Sequence, residues 1–263
     1  MKLNSRTLIG AVAGDIIGST YEWDNVKTTD FKLFRRKSRF TDDTVLTMAV
    51  AKSILDNEDF GANIQKFARK YPHRGYGSFF RKWIHSENPQ PYGSYGNGGA
   101  MRVSPVGFAF NDIDKVLKKA KESAEPTHNH PEGIKGAQAI ASAIFWARKG
   151  KDKNYIRTFV ENTFGYDLNF TIESLRPTYQ FSATAPDTVP HAIVAFLDST
   201  DFENAIRLAI SLGGDSDTIA AMTGSIAAAF YKNIPETITE EVEKFLPDEF
   251  INIMNRFDEI YRD

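Results

Sequence analysis

Helical periodicity runs through nearly the whole chain, and strand alternation almost nowhere. The segment LIGAVAGDIIGS (residues 8–19) is rich in small residues, which suits a closely packed, buried helix. SDTIAAMTGSIAAAFY (216–231) is Ala-rich and so belongs near the centre of the fold. Apolar residues at 45, 46, 49, 50, 54 and 55 share one helical face over 44–55. Further helices are expected over 63–70, 78–85, 113–123, 154–163, 189–197, 202–212, 239–245 and 248–261. PEGIKGAQAIASAIFWARKGK opens with Pro131 and closes with basic residues around Gly150, a matched start and stop. Some alternation occurs in YDLNFTIESL (166–175), where irregular structure fits equally. The longest irregular stretches are 21–40, 88–100 and 176–188. Long loops in a compact helical fold often carry function. The expectation is a single compact all-α domain over 1–263, with a working surface made of loops.

At 263 residues the chain can bury a substantial core, and its 41% hydrophobic and 25% charged residues are ordinary for a globular protein. A formal net charge of −2 argues against a nucleic-acid backbone as the main partner, although a local basic patch stays open. Cysteine is absent, which excludes disulfides, thiolate nucleophiles and zinc–thiolate sites. The first residues start like a signal peptide, but Asp15 breaks the apolar run. The run TIAAMTGSIAAAFY is too short to span a bilayer. No membrane association is expected; the location expected is cytoplasmic, and with no oligomer signal the state expected is a monomer.

Two apolar helices begin with more acid than a helix start needs. RFTDDTVLTM places Thr41, Asp42 and Asp43 at the head of one, and SLGGDSDTIAAM places Asp215, Asp217 and Thr218 at the head of another. Asp, Ser and Thr cap helices because they accept free backbone N–H groups, and the dipole favours negative charge there. One cap satisfies one helix, so the additional carboxylates need another reason. Buried carboxylates must be paired or bind metal. Arg39 is the base nearest the first cluster, and the second has none close by. Oxygen ligands without sulfur or a nearby histidine suit hard divalent ions such as Mg²⁺, Mn²⁺ or Ca²⁺. Two ions about 3.5–4 Å apart balance four carboxylates better than one. Asp15, inside the first apolar helix, reads as structural, since a buried Asp usually has a hydrogen-bond partner.

YGSYGNGGAMRVSPVG (92–107) is a Gly-rich loop leading into an apolar segment, a form whose backbone N–H groups suit phosphate. Gly clusters are also ordinary turns, and no Gly-Lys-Ser/Thr follows, so this is not a Walker loop. Arg102 either adds charge to such a site or holds the loop. In PTHNHPEG (126–133), His128 and His130 could bind metal, or one caps the Pro131 helix while the other is exposed. A substrate contact by His128 is favoured over metal ligation.

Together these segments resemble the ADP-ribosylglycohydrolase family, which includes the dinitrogenase reductase-activating glycohydrolase and the eukaryotic ADP-ribosyl hydrolases. The resemblance runs in order from GAVAGDIIGSTYE through FTDDT, GNGGAMR and THNHPEG to SLGGDSDTIAAMTGSIAAAFY. It implies a compact all-α fold and two divalent metal ions, Mg²⁺ or Mn²⁺. These would be held by Thr41, Asp42 and Asp43 on one side and Asp215, Asp217 and Thr218 on the other. It implies a metal-centre role in catalysis for Glu22, and Asp43 and Asp217 could share the acid–base work. Gly96, Asn97, Gly98, Gly99, Ala100, Met101 and Arg102 match the loop around the diphosphate and distal ribose, and His128 matches a substrate contact. Ser94 stands where some members, including the nitrogenase-linked one, carry an acid, and the GNGGAMRVSPVG wording is closer to the serine-linked hydrolases. The 181–191 loop is not similar enough to assign adenine contacts.

The expected reaction is hydrolysis of the N- or O-glycosidic bond between ADP-ribose and a modified protein side chain, nucleic acid or small molecule. Two alternatives stand beside it. One is another paired-metal hydrolase of nucleotides or phosphate esters, served by the same oxygens and loop. The other is a non-catalytic ADP-ribose binder, which a lost metal ligand would mark; here every candidate position is filled.

Overall fold

The computed structural model describes residues 2, 3 and 6–262. Among these residues there are fifteen helices and no strand. In chain order they are α1 (Ile9–Gly18), α2 (Asp42–Asp56), α3 (Phe60–Lys70), α4 (Ser78–His85), α5 (Gly98–Met101), α6 (Ser104–Ala109), α7 (Ile113–Ala124) and α8 (Pro131–Arg148). They continue as α9 (Lys153–Phe164), α10 (Ile172–Leu175), α11 (Ala185–Asp198), α12 (Phe202–Ser211), α13 (Ser216–Tyr231), α14 (Glu236–Glu243) and α15 (Asp248–Tyr261).

The all-α expectation holds, and each longer helix lies where the periodicity places it. Three short helices, α5, α6 and α10, are additions. Each has four to six residues, too few to show a period. In the alternating segment 166–175, local chemistry decides the outcome. Thr171 and Ser174 form a reciprocal capping box that starts α10.

α13 is the central helix: residues 216–229 are all buried. Its residues are small enough for neighbours to press against it on every side. α1 runs antiparallel to it with almost no side chain between. A Cβ on Gly10 would lie 2.1 Å from the carbonyl oxygen of Gly224, and one on Gly14 would lie 2.1 Å from that of Ala220. A Cβ on Gly18 would meet the Cα of Asp217 at 2.4 Å. Glycines spaced by four residues line one face of a helix, so main chain touches main chain along the whole of α1. This seam carries Asp15, on α1, up to the start of α13.

Around this pair the buried apolar side chains of the other helices form one cluster reaching from Leu3 to Phe257. The acidic helix starts, the 21–40 loop, the Gly-rich loop and the 176–184 loop all open onto one end of it. Two loops are joined there: Asn97 N–H donates to Ala183 O and Ala185 N–H to Tyr95 O, both at 2.9 Å, around an isolated antiparallel bridge between Gly96 and Thr184. Among the described residues no helix is long and apolar enough to cross a membrane.

Candidate active site

The site is a cleft of about 500 Å³, in the range of small-molecule pockets. Its acidic wall comes from both helix starts. Thr41 is the N-cap of α2 and accepts from Asp43 N–H at 3.4 Å. α13 has no side-chain cap, although Asp215 occupies its N-cap position. The surplus aspartates are therefore not committed to capping.

Asp15 organises the first start. Its carboxylate accepts from Thr41 N–H at 2.9 Å, Thr41 Oγ1–H at 2.6 Å, Thr44 N–H at 3.1 Å and the Thr44 hydroxyl. The partners expected of a structural Asp are present, and the residue also does more. Carboxylate oxygens of Asp15, Asp43 and Asp217 lie within 4.8 Å of one another, and so do those of Glu22, Asp215 and Asp217. Asp217 belongs to both groups. Each group is a candidate cation site among the described residues. Asp42 is in neither; it is half-buried, lines the cleft and faces Gly75, whose added Cβ would meet its Oδ1 at 2.9 Å.

The two starts also touch directly. Thr218 Oγ1–H donates to Asp43 Oδ2 at 3.2 Å, and Thr218 N–H donates to Asp217 Oδ1 at 3.0 Å. The other oxygen of Asp43, Oδ1, is buried with no hydrogen-bond partner. No Lys or Arg forms a salt bridge with any of these carboxylates among the described residues. Burial pushes Asp42, Asp43 and Asp217 well above the usual carboxylate range; the charge of Asp15 adds to this for the first two, and that of Asp215 for the third. Burial raises Asp15 despite its four hydrogen bonds. Glu22, half-buried, is raised to about 7 by burial and then by Asp215. A wall of crowded carboxylates with an unsatisfied oxygen is what a hard cation relieves, and its donors are all oxygen.

The opposite wall is the Gly-rich loop. Gly96, Asn97, Gly98, Met101 and Arg102 line the cleft, whereas Gly99 and Ala100 do not. Gly99 is buried against Ala124, where an added Cβ would come within 3.2 Å. Asn97 links the two walls, with Nδ2–H donating to Asp215 Oδ2 at 2.7 Å. Ser94 lines the cleft and accepts from Gly96 N–H at 3.2 Å.

Arg102 is fully buried and holds the loop, one of the two roles considered for it. Its Nη2 donates to Ser123 O and Thr127 Oγ1, both at 2.9 Å, which ties the loop to the end of α7. Nε and Nη1 are buried without partners, and burial depresses the guanidinium to about 10. His128 is also buried, with Nδ1 2.7 Å from Thr127 Oγ1. Thr127 Oγ1 thus accepts from Arg102 and pairs with His128 Nδ1, which holds the ring with its other nitrogen, Nε2, beside Gly96 and Gly98. Burial, and then Arg102, hold His128 well below the usual imidazole range, which keeps it neutral. His130 is exposed and caps α8, accepting from Glu132 N–H at 3.1 Å.

Several lining residues had no sequence signal. Trp23 and Phe181 stack at the mouth with centroids 5.6 Å apart, and Phe79 stacks with Tyr92 at 6.2 Å. Exposed aromatics in irregular loops follow no periodicity. The one available signal was Asp15 itself, a lone acid in an apolar helix.

The geometry invites comparison with known proteins. The family profile described as ADP-ribosylglycohydrolase matches residues 5–262. Among curated relatives, ADP-ribosylhydrolase ARH3 of Gallus gallus is 28% identical over 97% of this chain and 92% of its own length, and that of Homo sapiens is 29% identical over 90% and 88%. ADP-ribosylarginine hydrolase Tri1 of Serratia proteamaculans is 24% identical over 87% of this chain and 72% of its own. A solved structure titled ADP-ribosylglycohydrolase-related protein complex superposes with a TM-score of 0.71 over 98% of this chain and 100% of that one, at 23% identity, a likeness of fold. With a family match spanning almost every residue, the chain belongs to the ADP-ribosylglycohydrolase family.

Proposed function

We propose that this hydrolase cleaves the glycosidic bond between ADP-ribose and a modified target, using Mg²⁺ or Mn²⁺ held on the acidic wall. The target is a protein side chain, a nucleic acid or a small molecule. One observation carries the reading: two carboxylate groups share Asp217 on one wall of a cleft whose other wall is a Gly-rich loop with a buried arginine.

The donor set fits divalent cations. Asp15, Asp43 and Asp217 would hold one, and Glu22, Asp215 and Asp217 a second, with Thr41, Asp42 and Thr218 at hand as further oxygens. When bound, such ions supply Lewis acidity and offset negative charge at the reacting centre.

The chain's own residues do the rest. Glycosidic bonds break through an oxocarbenium-like transition state, so carboxylates beside the anomeric carbon stabilise its developing positive charge. Glu22, raised toward neutrality, takes a proton from the attacking water or orients it. Asp217, whose carboxylate lies within 4.8 Å of those of both Glu22 and Asp43, shares that work with Asp43. On the other wall, the Gly96–Gly98 backbone and the free N–H groups of Arg102 receive the diphosphate. His128 adds a neutral ring nitrogen, Nε2, beside the loop. Binding energy from this remote part of the substrate positions the reacting centre.

The test is a panel of ADP-ribosylated substrates assayed with Mg²⁺, Mn²⁺ or EDTA, for wild type, Asp217→Ala and Glu22→Ala. Release of free ADP-ribose that requires the ion and both side chains is expected. Activity that survives EDTA and Asp217→Ala would refute the reading.

A further inference from the structure

Five carboxylates make up the two groups on the acidic wall, and four of them stand within or at the start of α1, α2 and α13. Glu22 alone stands on irregular chain. Side chains on loops are placed less tightly than those on helices, so what fixes Glu22 has to come from tertiary contacts. Two residues just beyond it supply them. Asn25 Oδ1 accepts from Gly214 N–H at 2.7 Å, and its Nδ2 donates to Tyr21 O and Glu22 O, both at 2.7 Å. A backbone N–H only donates and the two carbonyls only accept, so one orientation of the amide satisfies all three. Lys27 Nζ donates to Tyr179 O at 2.9 Å and to Leu212 O, at the C-cap of α12. These bonds converge on a turn shaped to receive them. Gly213 and Gly214 have φ angles of 71° and 70°, the left-handed region that suits glycine. A Cβ on Gly213 would lie 2.6 Å from Asn25 Oδ1, and one on Gly214 would lie 2.8 Å from Tyr179 Cε1. The turn is thus packed by the Glu22 loop on one side and by the loop carrying Phe181 on the other, and it runs straight into Asp215.

Resting on the hydrolase reading above, we infer that Asn25, assisted by Lys27, is a positioning residue for Glu22. It locks the Glu22 main chain to the Gly213–Gly214 turn and so holds the Glu22 carboxylate beside those of Asp215 and Asp217, the other members of its group. Asp215 follows the turn directly, so the same amide fixes both sides of that group. Asn25 does not line the cleft and acts on the reacting centre only through Glu22. It is exposed, so removing its side chain takes nothing from the core. A residue that served the fold alone would lower stability when replaced and leave a correctly folded site as active as before. A positioning residue lowers activity and ion affinity at nearly constant stability, and only while Glu22 is there to be positioned.

The experiment uses the full chain and compares wild type with Asn25→Ala, Asn25→Asp, Glu22→Ala and the Asn25→Ala/Glu22→Ala double variant. Asn25→Asp keeps the acceptor for Gly214 N–H but sets an oxygen against the carbonyls of Tyr21 and Glu22. Three quantities are measured: hydrolysis of the ADP-ribosyl substrate panel, Mn²⁺ affinity by calorimetry, and melting in EDTA. In Asn25→Ala, kcat is expected to fall by about ten- to a hundredfold and KM to move less, while Mn²⁺ binding at one site weakens by about tenfold or more, the scale for groups that orient metal ligands. Melting in EDTA should stay within about 2 °C of wild type. Asn25→Asp should lose as much as Asn25→Ala. Added to Glu22→Ala, Asn25→Ala should change kcat by less than about twofold, because coupled residues are not additive. Wild-type kcat and Mn²⁺ affinity in Asn25→Ala, wild-type behaviour in Asn25→Asp, or a full second loss in the double variant would each overturn the inference while leaving the hydrolase reading intact. Weakened Mn²⁺ binding in Asn25→Ala, with no hydrolysis of any substrate by wild type, would uphold the placement of Glu22 and remove the hydrolase reading.

Discussion

Thr218 Oγ1–H donates to Asp43 Oδ2 at 3.2 Å, joining two helix starts that lie 175 residues apart in the chain. Because Asp43 Oδ1 already lacks a partner, this bond is the main support of a buried carboxylate. Thr218→Val is expected to destabilise the ion-free protein by about 1–3 kcal/mol, the range for leaving a buried polar group unsatisfied. Urea unfolding in EDTA measures it, and an unchanged midpoint would contradict the assigned support.

Asp217 adds negative charge to both carboxylate groups. Asp217→Asn removes that repulsion, so the variant should melt higher than wild type in EDTA. Wild type should gain stability on adding Mg²⁺ or Mn²⁺, as any ligand that favours the folded state requires, and the variant should gain little. Thermal melts with and without each ion test both halves. Hydrolysis by the variant should fall by about a hundredfold or more, beyond the effect of supporting residues around metal sites.

The seam between α1 and α13 leaves no room for a methyl group. Gly14→Ala forces a carbon to within 2.1 Å of the Ala220 carbonyl unless the helices separate. A loss of about 3 kcal/mol is expected, the upper part of the range for overpacking. Separation also draws Asp15 from Asp217, so the melting temperature should lose its response to divalent ions. A variant as stable and as ion-responsive as wild type would mean the seam is looser than described.

Thr127 Oγ1 pairs with His128 Nδ1 at 2.7 Å and so favours one tautomer of the neutral ring. In Thr127→Val, Nδ1 loses that partner and both tautomers become available. Nitrogen-15 NMR of the imidazole should change from the pattern of a single tautomer to an average of two. KM for ADP-ribosyl substrates should rise more than kcat falls, because His128 is placed on the binding wall.

His191, on α11, lies edge-on between Phe170 and Tyr179. Burial lowers it from 6.5 to about 4, so between those values the unfolded chain binds a proton that the folded chain refuses. Stability attributable to the neutral ring is present above pH 6.5 and is lost as pH falls toward 4. The slope at its steepest is about 1.4 kcal/mol per pH unit. His191→Phe should remove that slope, which appears as the difference between the two proteins' stability–pH curves over the interval. Parallel curves would place the ring in water.

Much of the helical framework was legible because its helices are long and periodic. The Ala-rich character of residues 216–231 pointed correctly to the centre of the fold. What could not be read was contact between distant parts. Asp15 read as structural because nothing in its neighbourhood reveals that glycines at 10, 14 and 18 seat it against α13. Asp42 and Asp43 look equivalent as neighbours, yet their side chains diverge by about 100° around the helix, and only Asp43 reaches a carboxylate group. Gly99 and Ala100 sit within the loop motif but pack behind it. The stacked pair of Trp23 and Phe181 comes from two irregular segments whose pairing depends wholly on tertiary structure.

The hydrogen bond from Asn97 to Asp215 has a consequence for how the two walls behave together. Any charge that settles against Asp215 changes the acceptor that holds the Asn97 amide, and any reordering of the loop changes the carboxylate. Linkage of this kind is reciprocal, so grip at the anionic end and affinity at the acidic end rise or fall by the same factor. On the proposed function, the cleft then fills as a cooperative unit instead of as two independent halves.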